Sequence, residues 1–492
     1  MARRRGGRYR HRMSHHLTAA RARLAALAAL FPAAIGGCSP GQPAGPPPPD
    51  SAQTVAFLDT VEQRTFHYFW DLSNPANGLT PDRSPTPSFS SIAAVGFALT
   101  AYPIGVERGY VTRADAATRT VTTLEFLWLA TQDSSATATG YHGFFYHFLD
   151  MNTGARYQTV ELSTIDSALL LGGVLTCQQY FNNLADNTET RIRLLADSIY
   201  RRMNWRWIQP RAPLVAMGWK PESGFLAYDW TGYNEAMLMY VLALGSPTFA
   251  VDSTAWAAWA ASYQWGTFEG QTYLGFAPLF GHEYSHVWID FRGIADPFMQ
   301  AHGVDYFENS RRAAVAQQAY AVRNPGGWAG YGANLWGLSA SDGPADGGLP
   351  VGGRNRQFHT YFARGASFTE VQDDGTIAPT AAGGAVPFVP DLAIPTLYRM
   401  RHAYGANLFS TYGFLDAMNL TYPATASPSM GHVVPGVGWF DTDYLGIDQG
   451  PILAMIENYR TGLIWRLMRG SPYIIKGLCR AGFTGGWLAG KC

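Results

Sequence analysis

Three carboxylates stand at the starts of apolar segments and are the residues best placed for chemistry. Asp166 lies in STIDSALLLGGVL, Glu235 lies in YNEAMLMYVLAL, and Asp448 stands just before PILAMIENYRTGLIW. Each segment predicts a buried helix, so each acid would mark a helix N-terminus. Glycosidic cleavage needs one protonated carboxyl that donates to the leaving oxygen, and one ionised carboxylate that activates water or attacks carbon. The three acids are therefore candidate catalytic residues.

The same acids also have a structural interpretation. Ser163-Thr164-Ile165-Asp166 resembles a capping box, and acids in a first helical turn are stabilised by the helix dipole. A helix N-terminus also lowers a carboxyl pKa, whereas a general acid needs a raised pKa. Burial or a neighbouring like charge must therefore outweigh the dipole at whichever residue is the acid.

A second candidate motif is His282-Glu283-Tyr284-Ser285-His286, which matches H-E-x-x-H. On a helix it would place two imidazoles one turn apart with a glutamate as base for zinc-bound water, and Glu308 is a conceivable third ligand. The extended metzincin pattern fails, because Ile289 stands where it requires Gly. Packing or sugar contact is the alternative interpretation of this cluster.

Aromatic and amide side chains crowd the loops around the acids. Sugar rings present apolar C–H faces edged with hydroxyls, so a glycan cleft favours flat aromatic platforms beside hydrogen-bonding groups. Packing between helices is the alternative for most of the 15 Trp and 26 Tyr. The candidate substrate-binding residues are His142, Trp230, Tyr233, Asn234, Tyr331, Asn334, Trp336, Trp439 and Gln449.

The elements that must position these residues are predicted to be helical hairpins. Two helices, Thr164–Phe181 and Tyr233–Leu244, are apolar nearly all round, as the inner ring of a toroid would be. Parallel inner helices would bring the three acids to one rim. We expect an all-α fold, an (α/α)6 toroid with long functional loops. The other predicted helices are Val55–Leu72, Ile92–Ile104, Arg113–Ala130, Thr190–Arg202, Ser253–Tyr263, Tyr306–Val322, Pro395–Tyr404 and Pro451–Met468.

Composition limits the cofactors and partners. The chain has 492 residues with 36 basic and 36 acidic side chains, which indicates a globular protein. None of its lysines follows the G-K-[ST] pattern of a phosphate-binding loop, and we expect no metal and no organic cofactor. Cys479 and Cys492 could pair in an oxidising compartment, whereas Cys177 lies in an apolar run that predicts a buried thiol.

The first fifty residues resemble an export signal followed by a tether. A basic segment, an apolar stretch and Ile35-Gly36-Gly37-Cys38 have the form of a bacterial lipoprotein signal over residues 1–37, with Cys38 as the lipidated residue. Residues 38–50 are a Pro-rich tether, and residues 51–492 would form one catalytic domain. An ordinary export signal, or a start site at Met13, is the alternative.

Removing the signal changes the charge balance. Eight of the 36 basic residues precede Cys38, so 28 basic groups remain against 36 acidic ones. This excess of acid argues against a nucleic-acid partner. We expect a monomer in the periplasm or on the outer membrane, with membrane contact only through the lipid anchor.

Several long motifs resemble the glycoamylase-like domain family. They are RTFHYFWD (Arg64–Asp71), GVERGYVTRADA (Gly105–Ala116), YNEA (Tyr233–Ala236), YGANLWGLSASDGP (Tyr331–Pro344) and IDQGPILAMIENYRTGLIW (Ile447–Trp465). The resemblance runs from about residue 54 to 483. It implies an (α/α)6 barrel and activity on bacterial β-1,2-glucan, mostly with inversion. It also implies that Glu235 is the general acid and that Asp448 is the general base, working through water and a substrate hydroxyl.

The chain departs from the family pattern at one place. Endo-acting relatives carry three acids spaced as D-x-x-x-D-x-x-E before the apolar helix; here the last position is Asp166, and the others are Thr159 and Ser163. Glu161 lies between them and is a candidate substitute. An exo-acting or differently linked relative is therefore an alternative to endo action on β-1,2-glucan. A noncatalytic glycan-binding lipoprotein and a zinc metallopeptidase are the alternatives from other classes.

Overall fold

The computed structural model describes residues 49–492, so the signal segment, Cys38 and nearly all of the tether lie outside the described residues. Within them the fold is predominantly helical, as the sequence predicts. The α-helices are α1 Ser51–Leu72, α2 Ile92–Glu107, α3 Arg113–Leu129, α4 Thr164–Tyr180, α5 Asn187–Arg202, α6 Met237–Gly245, α7 Thr254–Ala260, α8 Phe280–Trp288, α9 Pro297–Ala301, α10 Tyr306–Arg323, α11 Pro379–Gly384, α12 Pro390–Tyr404, α13 Gly446–Arg460, α14 Leu463–Met468 and α15 Pro472–Arg480.

Six of these helices are buried on nearly all sides: α2, α4, α6, α8, α11 and α13. All nine residues of α6 and all six of α11 are buried. Each of the six contacts the next in chain order, and α13 contacts α2. An element that is apolar around its whole circumference needs protein on every side, and this succession of neighbours supplies it.

The strands are short and lie in the connecting segments. One sheet has four strands (Thr376–Ile377, Met418–Asn419, Gly438–Phe440, His432–Val434) and another has three (Leu162–Ser163, Gly218–Lys220, Gly224–Phe225). The antiparallel two-stranded pairs are Arg83–Ser84 with Tyr444–Leu445, Ser90–Ser91 with Phe148–Leu149, Gly140–Tyr141 with Phe144–Phe145, Trp265–Phe268 with Gln271–Leu274, Ala340–Ser341 with Phe362–Ala363, Gly347–Val351 with Arg354–Phe358, Gly365–Ala366 with Val371–Gln372, and Phe409–Ser410 with Gly413–Phe414.

These strands fix where the buried helices begin. The strand Ser90–Ser91 runs directly into α2, Leu162–Ser163 into α4, and Tyr444–Leu445 into α13. Ser91 and Ser163 each accept a hydrogen bond from a first-turn N–H through the side chain, which satisfies a helix-end donor. Strand pairing therefore holds the N-terminal ends of these helices, where Asp166 and Asp448 lie, at fixed positions.

Some predicted helices differ from the observed ones. The predicted Tyr233–Leu244 begins only at Met237, because the Asn234 side chain accepts from the Ala236 N–H and donates to Thr231 O, which favours a turn. The predicted Pro451–Met468 is two helices, α13 and α14, separated at Gly462, whose φ of 68° is left-handed. Helices α8, α9, α11 and α15 were not predicted.

Close approach of α2 and α4 depends on glycine. A Cβ on Gly96 would lie 2.4 Å from Leu169 O, and a Cβ on Gly173 would lie 2.0 Å from Gly96 O. The obstacle in both cases is backbone, which cannot rotate away.

We therefore expect Gly96→Ala to lower the free energy of unfolding by about 1–3 kcal/mol, because overpacking outweighs the better helix propensity of alanine. Gly332→Ala is the matched control, since a Cβ there meets nothing nearer than 4.0 Å. Urea unfolding of both variants measures the difference. Equal stability of the two variants would contradict this view of the α2–α4 contact.

The described residues contain one disulfide and one free cysteine. Cys479 and Cys492 form a disulfide, a pairing that the sequence left open, and Cys177 is a buried free thiol, as predicted. Between residues 49 and 492, every helix is too short or too polar to cross a bilayer.

Candidate active site

Asp166 and Glu235 line the same cleft, which has a volume of about 180 Å³. Asp166 is the third residue of α4, and Glu235 lies in the turn before α6. Ile447, the residue before Asp448, is also part of the lining. The complete lining is His147, Ile165, Asp166, Leu169, Glu235, Phe280, Tyr284, Ala340, Tyr361 and Ile447.

Glu235 has the properties of a proton donor. Its Oε2 is enclosed and has no hydrogen-bond partner within the protein. Burial raises the pKa of Glu235 to about 7, a backbone hydrogen bond opposes the rise, and the charge of Asp166 adds to it. Glu235 precedes α6 and does not lie in its first turn. The structural interpretation, in which the acid stabilises a first helical turn, therefore does not apply to it. A carboxyl with this pKa is protonated in a large fraction of molecules at neutral pH.

Asp448 lies in the first turn of α13 and is 2% exposed. Burial raises its pKa to about 7, while hydrogen bonds from Asp416 and Thr380 oppose the rise. Burial and then the charge of Asp448 raise the pKa of Tyr284 in the cleft wall well above the ordinary tyrosine value. Asp448 therefore acts electrostatically on the same cleft that Asp166 and Glu235 line.

Asp166 is held by a serine and a histidine. Ser163 donates from Oγ to Asp166 Oδ2 and accepts from the Asp166 N–H, so the predicted helix cap is present. His147 Nε2 lies 3.6 Å from Asp166 Oδ2, and His147 Nδ1 lies 2.9 Å from Glu161 Oε1. Glu161 thus reaches the site through His147.

The charges in this group reinforce each other. Burial lowers the pKa of His147, but the charge of Asp166 and the hydrogen bond to Glu161 outweigh it and raise the pKa to about 9. The hydrogen bond with His147 lowers the pKa of Glu161 to about 2. At neutral pH an imidazolium therefore joins the two carboxylates.

We expect Asp166→Asn to lower the pKa of Glu235, because the substitution removes a negative charge that disfavours ionisation of Glu235. The alkaline limb of the activity profile should move to lower pH. Measuring kcat/KM against pH for the variant and the parent protein tests this. Asp229→Asn is a control, since Asp229 pairs with Arg211 and is not among the cleft-lining residues.

Comparisons with known proteins identify the family of the chain. The family model Glycoamylase, described as "Putative glucoamylase", matches residues 227–472. A crystal structure named "putative glucoamylase" from Bacteroides uniformis is 31% identical, covers 89% of this chain and 100% of its own, and has a TM-score of 0.76. The chain belongs to the glycoamylase-like family.

Two further relatives have named activities. An exo β-1,2-glucooligosaccharide sophorohydrolase (non-reducing end) from Parabacteroides distasonis is 30% identical over 462 residues, which are 86% of this chain and 57% of the relative. This glycoamylase-like chain thus spans little more than half of that protein. An endo-β-1,2-glucanase from Chitinophaga pinensis, in complex with sophorotriose and glucose, is 26% identical, covers 88% of this chain and 99% of its own, and has a TM-score of 0.75.

The predicted aromatic platforms are in large part packing residues of this glycoamylase-like fold. Trp336 and Trp439 are fully buried, and Trp439 Nε1 donates to Met430 O. Trp230 is 9% exposed and donates to Thr164 Oγ1, and Tyr233 is 4% exposed and stacks on Tyr306. These four side chains pack against other protein groups, and sugar contact by any of them stays a prediction.

The remaining predicted contacts lie outside the cleft lining. Asn234 holds the turn before α6, and Gln449 is buried and donates to Phe414 O. Both side chains bind protein groups, and substrate contact by either of them stays a prediction. His142 stacks on Trp207, and Tyr331 donates to Asp373 Oδ1. For His142, Tyr331 and the half-buried Asn334, sugar contact stays a prediction.

Different aromatic residues line the cleft: Phe280, Tyr284 and Tyr361. Tyr361 is 52% exposed and is therefore open to a ligand. Tyr284 lies inside the H-E-x-x-H match, and no other sequence pattern singled it out. His147 lies within the aromatic segment YHGFFYHF, but its spacing to Asp166 gives no local pattern that could have identified it.

The H-E-x-x-H residues lie on α8, but as packing residues. His282 Nε2 lies 3.1 Å from Phe276 O, and His286 Nε2 lies 3.1 Å from Ser310 Oγ. The proposed third ligand, Glu308, instead pairs with Arg311 at 2.6 Å and Arg312 at 2.8 Å. This geometry does not gather the ligand set of a zinc peptidase.

Three other acids come close together beside Asp448. Asp342, Asp416 and Asp441 are buried, and one oxygen from each lies within 4.8 Å of the others. Each acid follows a short strand, namely Ala340–Ser341, Gly413–Phe414 and Gly438–Phe440. Arg83 binds Asp342 at 2.7 Å and so brings a positive charge to this group of acids.

Proposed function

We propose that the chain is a glycoside hydrolase that cleaves a β-glucan or its oligosaccharides, with β-1,2-glucan favoured. The observation that carries this proposal is the cleft that Asp166 and Glu235 line together. The pKa of Glu235 is raised, and Asp448, whose pKa is also raised, directly follows the lining residue Ile447. Membership of the glycoamylase-like family supports the reaction class. The named activities of the two relatives support the linkage.

The proposed mechanism uses Glu235 as general acid and Asp448 as general base. Glu235 donates its proton to the glycosidic oxygen as the bond to the anomeric carbon breaks. Asp448 takes a proton from a water molecule that attacks the opposite face, which inverts the anomeric configuration. Phe280, Tyr284 and Tyr361 supply apolar surface for the sugar ring, and Asp166 accepts hydrogen bonds from its hydroxyls.

We also propose that the helices close into an (α/α)6 barrel. The six buried helices α2, α4, α6, α8, α11 and α13 support this, since each contacts the next and the last contacts the first. The partly exposed helices α1, α3, α5, α10 and α12 contact members of that set from outside.

We propose further that the protein is an exported, lipid-anchored monomer of the periplasm or outer membrane. The lipoprotein-like segment before Cys38 supports export. The Cys479–Cys492 disulfide supports it independently, because disulfides persist in oxidising compartments. Metabolic labelling with a fatty-acid analogue should mark the parent chain and not a Cys38→Ala variant.

The direct test of the reaction is product release from a panel of oligosaccharides. We expect the protein to hydrolyse sophoro-oligosaccharides and to leave β-1,3-, β-1,4- and α-1,4-linked glucans of equal length intact. Proton NMR of the first product should show the anomer opposite to that of the cleaved bond. Absence of hydrolysis across the whole panel would reject the proposed function, and hydrolysis of another linkage would reject the β-1,2 assignment.

The pH profile should be bell-shaped and narrow. Glu235 must be protonated, so activity falls as pH rises through its pKa of about 7. Asp448 must be ionised, so activity falls as pH drops through its pKa of about 7. Both limbs of kcat/KM should lie within about one pH unit of neutrality. A flat profile between pH 5 and about 9 would contradict these roles.

A further inference from the structure

Asp416 and Asp448 each bury an oxygen that receives no hydrogen bond from any donor within residues 49–492. These atoms are Asp416 Oδ1 and Asp448 Oδ2, and the two residues are 3% and 2% exposed. The other oxygen of Asp416, Oδ2, accepts the Asp342 N–H at 2.7 Å, which fixes the plane of its carboxyl group. The hydrogen bond from Gln449, the residue after Asp448, to Phe414 O holds the start of α13 against the segment that carries Asp416, and the two buried carboxyl groups interact.

Two ionised carboxylates in this position would be costly. A buried acceptor without a donor loses its hydrogen bonds to water without replacement, and two like charges in contact add repulsion. One proton held between the two groups removes both penalties, because it supplies a donor and leaves a single negative charge. The same arrangement occurs wherever two carboxyl groups share a site.

We propose that Asp416 is a positioning residue for catalysis, whose carboxyl keeps a proton and donates a hydrogen bond to the carboxylate of Asp448. This inference rests on the proposed function, in which Asp448 is the general base. The hydrogen bond orients Asp448 and stabilises its ionised form. The proton that Asp448 takes from water is a second proton, and the proton on Asp416 stays in place throughout the cycle.

The surroundings assign the proton to Asp416. Burial, and then the charges of Asp448 and Asp342, raise the pKa of Asp416 well above its ordinary value. The hydrogen bond from Asp416 acts in the opposite direction on Asp448 and lowers its pKa. The groups facing the pair are Asp342, Asp441, Glu283, Arg83, Thr380, Tyr68, Tyr284 and Tyr361. Arg83, the cation in this set, contacts Asp342 and lies 3.6 Å from Asp443.

The test compares two substitutions of Asp416 in the full chain, with kcat and KM for sophorotriose measured against pH. Asp416→Asn keeps both hydrogen bonds, since its amide NH₂ donates to Asp448 and its oxygen accepts the Asp342 N–H. We expect kcat within about threefold of the parent value and an acid limb that stays within about half a pH unit. A shift of the limb to lower pH would show that Asp416 is ionised and would overturn the proposal.

Asp416→Ala removes the donor. We expect kcat to fall at least tenfold, KM to change by less than about threefold, and the acid limb to move up by about one to two pH units, because Asp448 loses a hydrogen bond that favours its ionised form. An unmoved limb in a folded Asp416→Ala protein would overturn the proposal. Asp441→Asn is the matched control: Asp441 belongs to the same buried group but does not hydrogen-bond Asp448, so its limb should not move.

Two further measurements separate this inference from its alternatives. If Ca²⁺ or EDTA shifts the acid limb of the parent protein, a cation takes the place of the proton and the proposal is wrong. The infrared difference spectrum between the parent protein and Asp416→Asn at pH 7 should contain the C=O band of a protonated carboxyl. This band needs no substrate, so it decides the protonation of Asp416 even if no glycan is hydrolysed and the proposed function fails.

Discussion

Replacing Glu235 with Gln is expected to lower kcat on sophoro-oligosaccharides by about 10²–10⁴-fold while the fold is retained. The amide occupies the same volume in the turn before α6, but it has no proton to give to the leaving oxygen. The raised pKa of Glu235 shows how the parent residue keeps that proton near neutral pH. Steady-state kinetics with a circular dichroism check on folding measures the effect.

A substrate with a good leaving group makes this test specific. The nitrophenolate group of a nitrophenyl sophoroside leaves without protonation. Glu235→Gln should therefore hydrolyse this substrate at a rate much closer to that of the parent protein. Glu125→Gln is the matched control, because Glu125 pairs with Arg191 on the surface away from the cleft. Near-normal turnover of the natural oligosaccharide by Glu235→Gln would reject the acid assignment.

Replacing Asp448 with Asn is expected to cause a similar loss, about 10²–10⁴-fold in kcat. A neutral amide cannot take a proton from water, although it can still bond to Asp416. The loss should persist with the nitrophenyl substrate, since protonation of the leaving group does not replace activation of water. The two variants are therefore distinguished by their response to the same substrate.

Azide provides the complementary test of Asp448. It attacks carbon without needing to be deprotonated, so it should restore bond cleavage in Asp448→Ala and give a glycosyl azide of inverted configuration. Azide should not restore Glu235→Gln with the natural substrate. If Asp448→Asn retains most of its activity, or if azide yields the retained configuration, Asp448 is not an inverting base.

The sequence predicted the long helices because their signal is local. The apolar residues of α2, α3, α4 and α10 repeat at helical spacing, and the observed ends lie within a few residues of the predicted ones. The missed helices give no such signal. The sequence of α11 is PTAAGG, which contains two glycines, and its helix is stabilised by burial of all six residues. Tertiary contacts, and not intrinsic helix propensity, therefore determine that this segment is helical.

The acids of the site were predictable for the same reason. Asp166 and Glu235 stand at the starts of the two helices that the sequence predicts to be apolar nearly all round, and the packing of such helices side by side brings their ends together. The tension between dipole and pKa could not be resolved from the sequence, because it depends on how deeply Glu235 is buried. Burial outweighs the opposing backbone hydrogen bond.

The aromatic platforms were not predictable in the same way. A tryptophan in a Gly-rich loop has the same local pattern whether it packs in the core, as Trp439 does, or faces a ligand. Tyr361 lines the cleft and directly precedes the strand Phe362–Ala363, which pairs with Ala340–Ser341. Its position therefore depends on a contact between distant parts of the chain. The approach of Asp416 to Asp448 is likewise long-range, so no spacing rule could have revealed it.

A crystal structure of Glu235→Gln soaked with a β-1,2-linked oligosaccharide tests the central claim most directly. The account predicts that the amide at position 235 lies about 2.6–3.2 Å from a glycosidic oxygen, with a water on the opposite face of the ring connected to Asp448. The carboxyl carbons of Asp448 and of the group at position 235 should then be about 6.5–9.5 Å apart. An oligosaccharide bound away from Asp166, or in contact with neither residue 235 nor Asp448, would contradict it.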